Sequence, residues 1–144
     1  MMLTLDSSVI IAALREQEEK HRECLRLLEK IKDAEYIAVE PYTVLVEVVA
    51  AIRRRTGFEQ LAERVKNDLQ GIDSIHFLDL ESDRANEASD IAKNSGVRGM
   101  DAIVIQIAKE FNATLVSLDN EMTAKAEGIV EVKSVDPLVR ITPD

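Results

Sequence analysis

The chain has 144 residues, a net charge of −9 and a pI near 4.8; 46% of residues are hydrophobic and only 3% aromatic. That length suits one domain, residues 1–144, with an aliphatic core, and the acidic balance argues against a passive nucleic-acid binder without excluding an enzyme, since a bound Mg²⁺ inverts local charge. The lone Cys24 rules out an internal disulfide, and with no basic-then-apolar leader and no apolar run near the roughly 20 residues that span a bilayer, the expectation is a soluble, cytoplasmic protein with no membrane partner.

Short apolar runs alternate with longer periodic ones, the pattern of a mostly parallel sheet covered by helices. Met2 to Leu5 reads as the first strand, and Ser7 or Ser8 can cap a helix beginning at Val9. Glu18 to Lys32 is amphipathic, with Leu25, Leu28 and Ile31 at helical spacing. Tyr36 to Val39 is the second strand, after which Pro41 suits the first turn of a helix that runs to Arg55 and stops at Gly57. Leu61, Val65 and Leu69 mark a helix ending at Gly71, and Ile75 to Leu78 is the third strand. A helix from about Ser82 ends at Asn94-Ser95-Gly96, and Asp101 to Phe111 is helical. Thr114 to Leu118 and Ile129 to Val132 supply the last two strands. The fold class is α/β: a three-layer domain whose five-stranded, mostly parallel sheet is flanked by helices.

Several acids stand where a solvated surface does not explain them. Asp6 and Asp119 follow apolar strands, and the carboxyl ends of the strands of an open parallel sheet form the edge at which ligands bind. Each is equally well placed to cap the next helix. Glu47 interrupts Val44-Leu45-Val46 and Val48-Val49-Ala50-Ala51-Ile52, a helix apolar nearly all round. A buried carboxylate there must be paired, protonated or bound to metal. Its neighbours Thr43, Ala50 and Ala51 are small enough to leave room for an ion, and the competing reading is a salt bridge to Arg54. Asp101 opens the apolar helix after Arg98-Gly99-Met100, where capping explains it nearly as well.

Hard oxygen ligands of this kind suit Mg²⁺ or Mn²⁺. His21 and His76 are isolated, so no zinc spacing exists, and the chain carries neither a Walker-type loop nor a nucleophile elbow. Metal-assisted phosphodiester hydrolysis is a reaction that needs only carboxylates, metal and water. Arg15, Arg53, Arg54, Arg55 and Arg98 are candidates to hold a nucleic-acid backbone, and each is equally readable as a solvated charge.

The stretches Leu3-Thr4-Leu5-Asp6-Ser7-Ser8-Val9-Ile10-Ile11, the mid-helix Glu47, Arg98-Gly99-Met100-Asp101-Ala102 and Thr114-Leu115-Val116-Ser117-Leu118-Asp119 resemble the motifs of PIN-domain ribonucleases. Their order and the chain's length look most like the VapC-type toxins of toxin–antitoxin pairs. The resemblance implies a Mg²⁺- or Mn²⁺-dependent ribonuclease in which Asp6, Glu47, Asp101 and Asp119 form the catalytic, metal-binding quartet. Ser7 and Ser117 match hydroxyls that orient carboxylates or waters, Ser117 standing where Thr is common. It further implies an RNA substrate, a homodimer and a small antitoxin partner, and an acidic pocket of this kind can also accept an Arg of that partner. Glu121 lies just beyond the last motif and reads as an exposed first-turn acid.

Two other readings compete. A phosphorylatable receiver-like signalling domain has this length and acidic strand ends, but wants adjacent acids after the first strand, where Ser7 and Ser8 stand here. An RNA-maturation nuclease would keep the chemistry and change the target.

Overall fold

An apolar run such as Leu3-Thr4-Leu5 lies stably in a strand only if both of its faces are covered, because successive side chains point opposite ways. All three residues are buried, as are Thr114, Leu115 and Val116, so helices cover the sheet on both faces. A computed structural model describes residues 1–140. In chain order its elements are β1 (Met2–Leu5), α1 (Ser7–Leu14), α2 (His21–Lys32), β2 (Ile37–Pro41), α3 (Tyr42–Thr56) and α4 (Glu59–Gln70). There follow β3 (Ile75–Leu78), α5 (Ser82–Ser95), α6 (Gly99–Glu110), β4 (Thr114–Val116), α7 (Asn120–Ala126) and α8 (Val135–Val139).

The strands lie in the order β3-β2-β1-β4 and every pairing is parallel. The chain therefore builds outward from β1 to β3 on one side, then crosses to place β4 on the other. The strand order reverses between β1 and β4, and in sheets of this type the crevice at such a point, beyond the carboxyl ends of the strands, is where ligands bind. The largest fully buried side chains, among them Leu3, Leu5, Ile10, Leu27, Ile31, Ile105 and Leu115, come from the central strands and the helices against them. This is the aliphatic core that the near absence of aromatics requires.

The sheet has four strands where five were expected. Ile129 to Val132 contributes only an isolated bridge between Val132 and Leu115. Its hydrogen bonds run from the Leu115 N–H to the Glu131 carbonyl and from the Lys133 N–H to the Leu115 carbonyl. The segment lies between α7 and α8 in the chain and meets the edge of β4 at this one bridge. Other boundaries shift by a few residues. α1 begins at Ser7 rather than Val9, α2 at His21 rather than Glu18, and Pro41 closes β2 instead of opening α3. Gly57 (φ 77°) and Gly96 (φ 76°) end α3 and α5 in the left-handed conformation, as their positions in the sequence predict.

Leu115 is fully buried in β4 with neighbours on both sides. Leu115→Ala is expected to destabilise the fold by about 2–5 kcal/mol. Val46→Ala, on the exposed face of α3, should stay within about 0.5 kcal/mol of wild type. Urea unfolding followed by circular dichroism measures both, and equal losses would contradict this packing.

Candidate active site

Asp6 continues β1 past its last strand residue: its N–H donates to the Val116 carbonyl at 2.9 Å. It stands at the N-cap position of α1, yet its side chain makes no capping bond. Instead Oδ2 accepts from Ser8 Oγ at 2.9 Å and from Ser117 Oγ at 3.0 Å. The two hydroxyls also accept, Ser8 from the Leu118 N–H and Ser117 from the Asp119 N–H. One carboxylate thereby ties the end of β1 to the loop that leaves β4, while its Oδ1 takes no hydrogen bond among the described residues. On α1 it is Ser8 rather than Ser7 that carries this bond; Ser7 makes no side-chain hydrogen bond among the described residues.

Asp119 is a true helix cap, its Oδ1 accepting from the Glu121 and Met122 N–H groups at 3.0 and 3.2 Å. As at Asp6, one oxygen serves the fold and the other is left over. Asp101 is not a cap, because α6 begins at Gly99 with Arg98 at the N-cap, which places Asp101 inside the first turn. There the helix dipole favours a negative charge. Glu47 is half-buried rather than buried. α3 turns Val46 to solvent at 65% exposure and packs its other face, so the helix is not apolar all round in effect. Among the described residues Glu47 forms no ion pair, and the bridge to Arg54 does not exist.

The acids feel one another. Burial first, then Asp6, then Asp101 raise the Glu47 carboxyl above its ordinary value. Asp101 is raised by burial, Asp6 and Asp119, with Arg98 pulling the other way and Glu121 adding a smaller push. Asp6 is thus a common neighbour of Glu47 and Asp101, and Asp119 adds to the field at Asp101. An open cavity of about 580 Å³ adjoins Glu47 and Asp101, with Arg98, Leu80 and Met100 on its walls.

Every available donor is a hard oxygen, which fits Mg²⁺ or Mn²⁺ rather than a soft ion. Two buried polar atoms near the acids, Thr43 Oγ1 one turn before Glu47 and Glu40 Oε2, have no hydrogen-bond partner among the described residues, a common mark of a place where water or an ion belongs. Among the described residues no three such side chains close into a ready-made ligand group.

The remaining expected residues scatter. Arg98 lies at the site. Arg53, Arg54 and Arg55 lie exposed at the far end of α3, and Arg55 pairs with Glu18 at 2.8 Å. Arg15 ends α1, away from Asp6. Glu121 is exposed and bonded to Lys125. His21 Nδ1 meets the Ala12 carbonyl, and His76 lies on the exposed side of β3. Cys24 is buried, which pushes its thiol to about 11 and leaves it unreactive. The residue that sequence reasoning missed is Glu40, fully buried at the end of β2 with Asp6 in its field. It carries the same signal that marked Asp6 and Asp119, an acid directly after an apolar strand.

Because Glu47 and Asp101 titrate higher in the folded than in the unfolded chain, the folded state binds more protons. Their contribution to stability is fully present below the ordinary carboxylate pKa and is lost as pH rises through the raised values. Metal-free Glu47→Gln and Asp101→Asn are therefore expected to melt higher than wild type at pH 7, with the gain disappearing towards pH 3. Thermal melts in EDTA across that range test the sign; variants that melt lower at pH 7 would contradict it.

A family model of the PIN domain matches residues 3–128, which include all four acids. Solved structures with the same fold include the toxin VapC20 of Mycobacterium tuberculosis, which cleaves the sarcin–ricin loop; it is 17% identical, with a TM-score of 0.74 over 92% of this chain and 99% of that one. VapBC2 of Rickettsia felis, bound to a DNA fragment from its promoter, is 16% identical with a TM-score of 0.66 over 94% and 100%. A toxin–antitoxin complex of Klebsiella pneumoniae is 16% identical with a TM-score of 0.67 over 93% and 98%. No curated protein sequence matches. With its motifs in order and its matched segment spanning β1 to α7, the chain belongs to the PIN domain family.

Proposed function

We propose that this protein is a metal-dependent ribonuclease, residues 1–144 forming one domain, and that it is the toxin of a toxin–antitoxin pair. The observation that carries the reading is that Asp6, at the carboxyl edge where the strand order reverses, raises both Glu47 and Asp101, and that Asp119 adds to the field at Asp101. Acids that raise one another's pKa are unfavourable for the fold alone, and such sites are where function is found. Membership of the PIN family supports nuclease chemistry, and the toxins among the structures sharing the fold support the biological role.

The four carboxylates are the catalytic and metal-holding groups. Bound Mg²⁺ or Mn²⁺ would supply Lewis acidity, making a water nucleophilic and offsetting charge on the scissile phosphate. Asp6 presents Oδ1, its other oxygen being held by Ser8 and Ser117, so the side chain enters the site already oriented. Asp119 presents Oδ2 while Oδ1 caps α7. Asp101 and Glu47 line the cavity and can ligate or relay a proton. Arg98 supplies a cation on the same wall for an RNA phosphate.

Exposed Leu80 and Met100 on the cavity wall, with Tyr42 and Val46 exposed on α3, are apolar surface that a homodimer would cover. An antitoxin can silence the site by setting an Arg among the carboxylates, since a guanidinium fork matches their oxygens. The working location is the cytoplasm, where RNA and the antitoxin would be met. No helix among the described residues is long and apolar enough to cross a membrane.

Cleavage of mixed RNAs tests the proposal. Wild type is expected to cut with Mg²⁺ or Mn²⁺ and to stop in EDTA. Asp6→Asn, nearly unchanged in size, should lose more than the roughly 10–100-fold that removal of an outer-shell partner costs. Undiminished cleavage in EDTA, or by Asp6→Asn, would overturn it.

A further inference from the structure

At their carboxyl ends β1 and β2 stop pairing. The register runs Met2 to Ile37 and Leu3 to Ala38 and goes no further. On the other side β1 stays paired with β4 as far as Leu5 and Val116, and β2 stays paired with β3 as far as Pro41 and Leu78. Extending the β1–β2 ladder by two places would send the Leu5 N–H to the Val39 carbonyl and would need an N–H from residue 41. Residue 41 is proline and has none. Two side chains take over instead. Thr4 Oγ1 donates to the Val39 carbonyl at 2.9 Å, and the Leu5 N–H donates to Glu40 Oε1 at 2.6 Å.

We propose that Glu40 is a positioning residue of the acidic centre: its carboxyl replaces the missing ladder bond at Leu5 and so sets the point at which β1 ends and Asp6 enters the site. The proposal rests on Asp6 being a site carboxylate, as argued above.

A packing role alone does not account for Glu40. The side chain is completely buried, and Oε2 finds no hydrogen-bond partner among the described residues. An apolar residue would fill the same space without carrying a polar group into the core. What an apolar residue cannot do is accept from the Leu5 N–H, which would otherwise be buried without an acceptor. Leu5 is the residue immediately before Asp6, so its placement passes directly to the carboxylate, and through Ser8 and Ser117 to the Leu118 and Asp119 amides. Burial raises the Glu40 carboxyl well above its ordinary range, with the Leu5 N–H lowering it and Asp6 raising it.

Two small substitutions separate reach from charge. Glu40→Gln keeps the reach and an acceptor oxygen; Glu40→Asp keeps the acid but withdraws it by one methylene. Amide hydrogen exchange by NMR on the metal-free protein is the first readout. Glu40→Gln is expected to retain wild-type protection at Leu5, Leu118 and Asp119. Glu40→Asp should exchange about tenfold faster or more at Leu5, and faster at Leu118 and Asp119 as well. Calorimetric titration with Mn²⁺ alone is the second. Its dissociation constant should stay within about threefold in Glu40→Gln and rise roughly 10–100-fold in Glu40→Asp. Wild-type behaviour of Glu40→Asp, acceleration confined to Leu5, an unchanged Mn²⁺ affinity, or failure of Glu40→Gln alongside Glu40→Asp would each overturn the proposal. If wild type itself binds no Mn²⁺, the metal reading falls and the three amides alone decide the role of Glu40.

Discussion

Two serine hydroxyls bond in both directions around Asp6, and much of the site's geometry follows from that arrangement. Each donates to the same carboxylate oxygen and accepts from an amide of the loop that leaves β4. The end of β1 and the loop beyond β4 are therefore locked together at the one place where the sheet's strand order reverses. A crevice there is expected of any open parallel sheet. A crevice whose central carboxylate has one oxygen fully occupied and the other left over is a particular solution. Asp119 repeats the division of labour, spending one oxygen on its helix and sparing the second.

The electrostatics follow from that geometry. Asp6 sits at 7% exposure and projects its field onto Glu47 and Asp101, both of which are half-buried and both raised. Away from these acids, several opposite charges meet in surface pairs. Arg84 grips Glu110, Lys30 meets Glu35, and Arg55 meets Glu18, all near the surface, where such pairs contribute little stability and cost little. Close to the quartet the only arginine on the cavity wall is Arg98 among the described residues, and it only partly offsets the repulsion at Asp101. A divalent cation or a guanidinium is the kind of partner that offsets this repulsion.

The sheet's geometry serves the same end. β1 is held on one side by a regular ladder to β4, and on the other by side chains once the ladder to β2 stops. Thr4 Oγ1 occupies the Val39 carbonyl that the Leu5 N–H would otherwise reach, and proline at position 41 has no N–H to offer the Leu5 carbonyl one step further on. The opened corner is where Glu40 lies, fully buried beside the strand that carries Asp6.

The sequence by itself determined the alternation of apolar runs with periodic ones, and hence a parallel sheet between helices with Asp6 and Asp119 at its carboxyl edge. That much depends on hydrophobic period and strand ends, which are local properties. It also placed Gly57 and Gly96 at helix ends, where a positive φ is a local demand. It overcounted the strands, because Ile129 to Val132 has a strand's composition but too little of β4's edge to pair with. It overestimated the burial of Glu47, because a helix rich in Val and Ala shows no polar face in sequence, although the folded chain buries only one side of it. Only the tertiary structure decided that Ser8 rather than Ser7 holds Asp6, that Asp101 lies within its helix rather than capping it, and that the buried Glu40 takes the Leu5 N–H. Each of these depends on which atoms of distant segments come within about 3 Å of one another, and hydrogen bonds are directional and short.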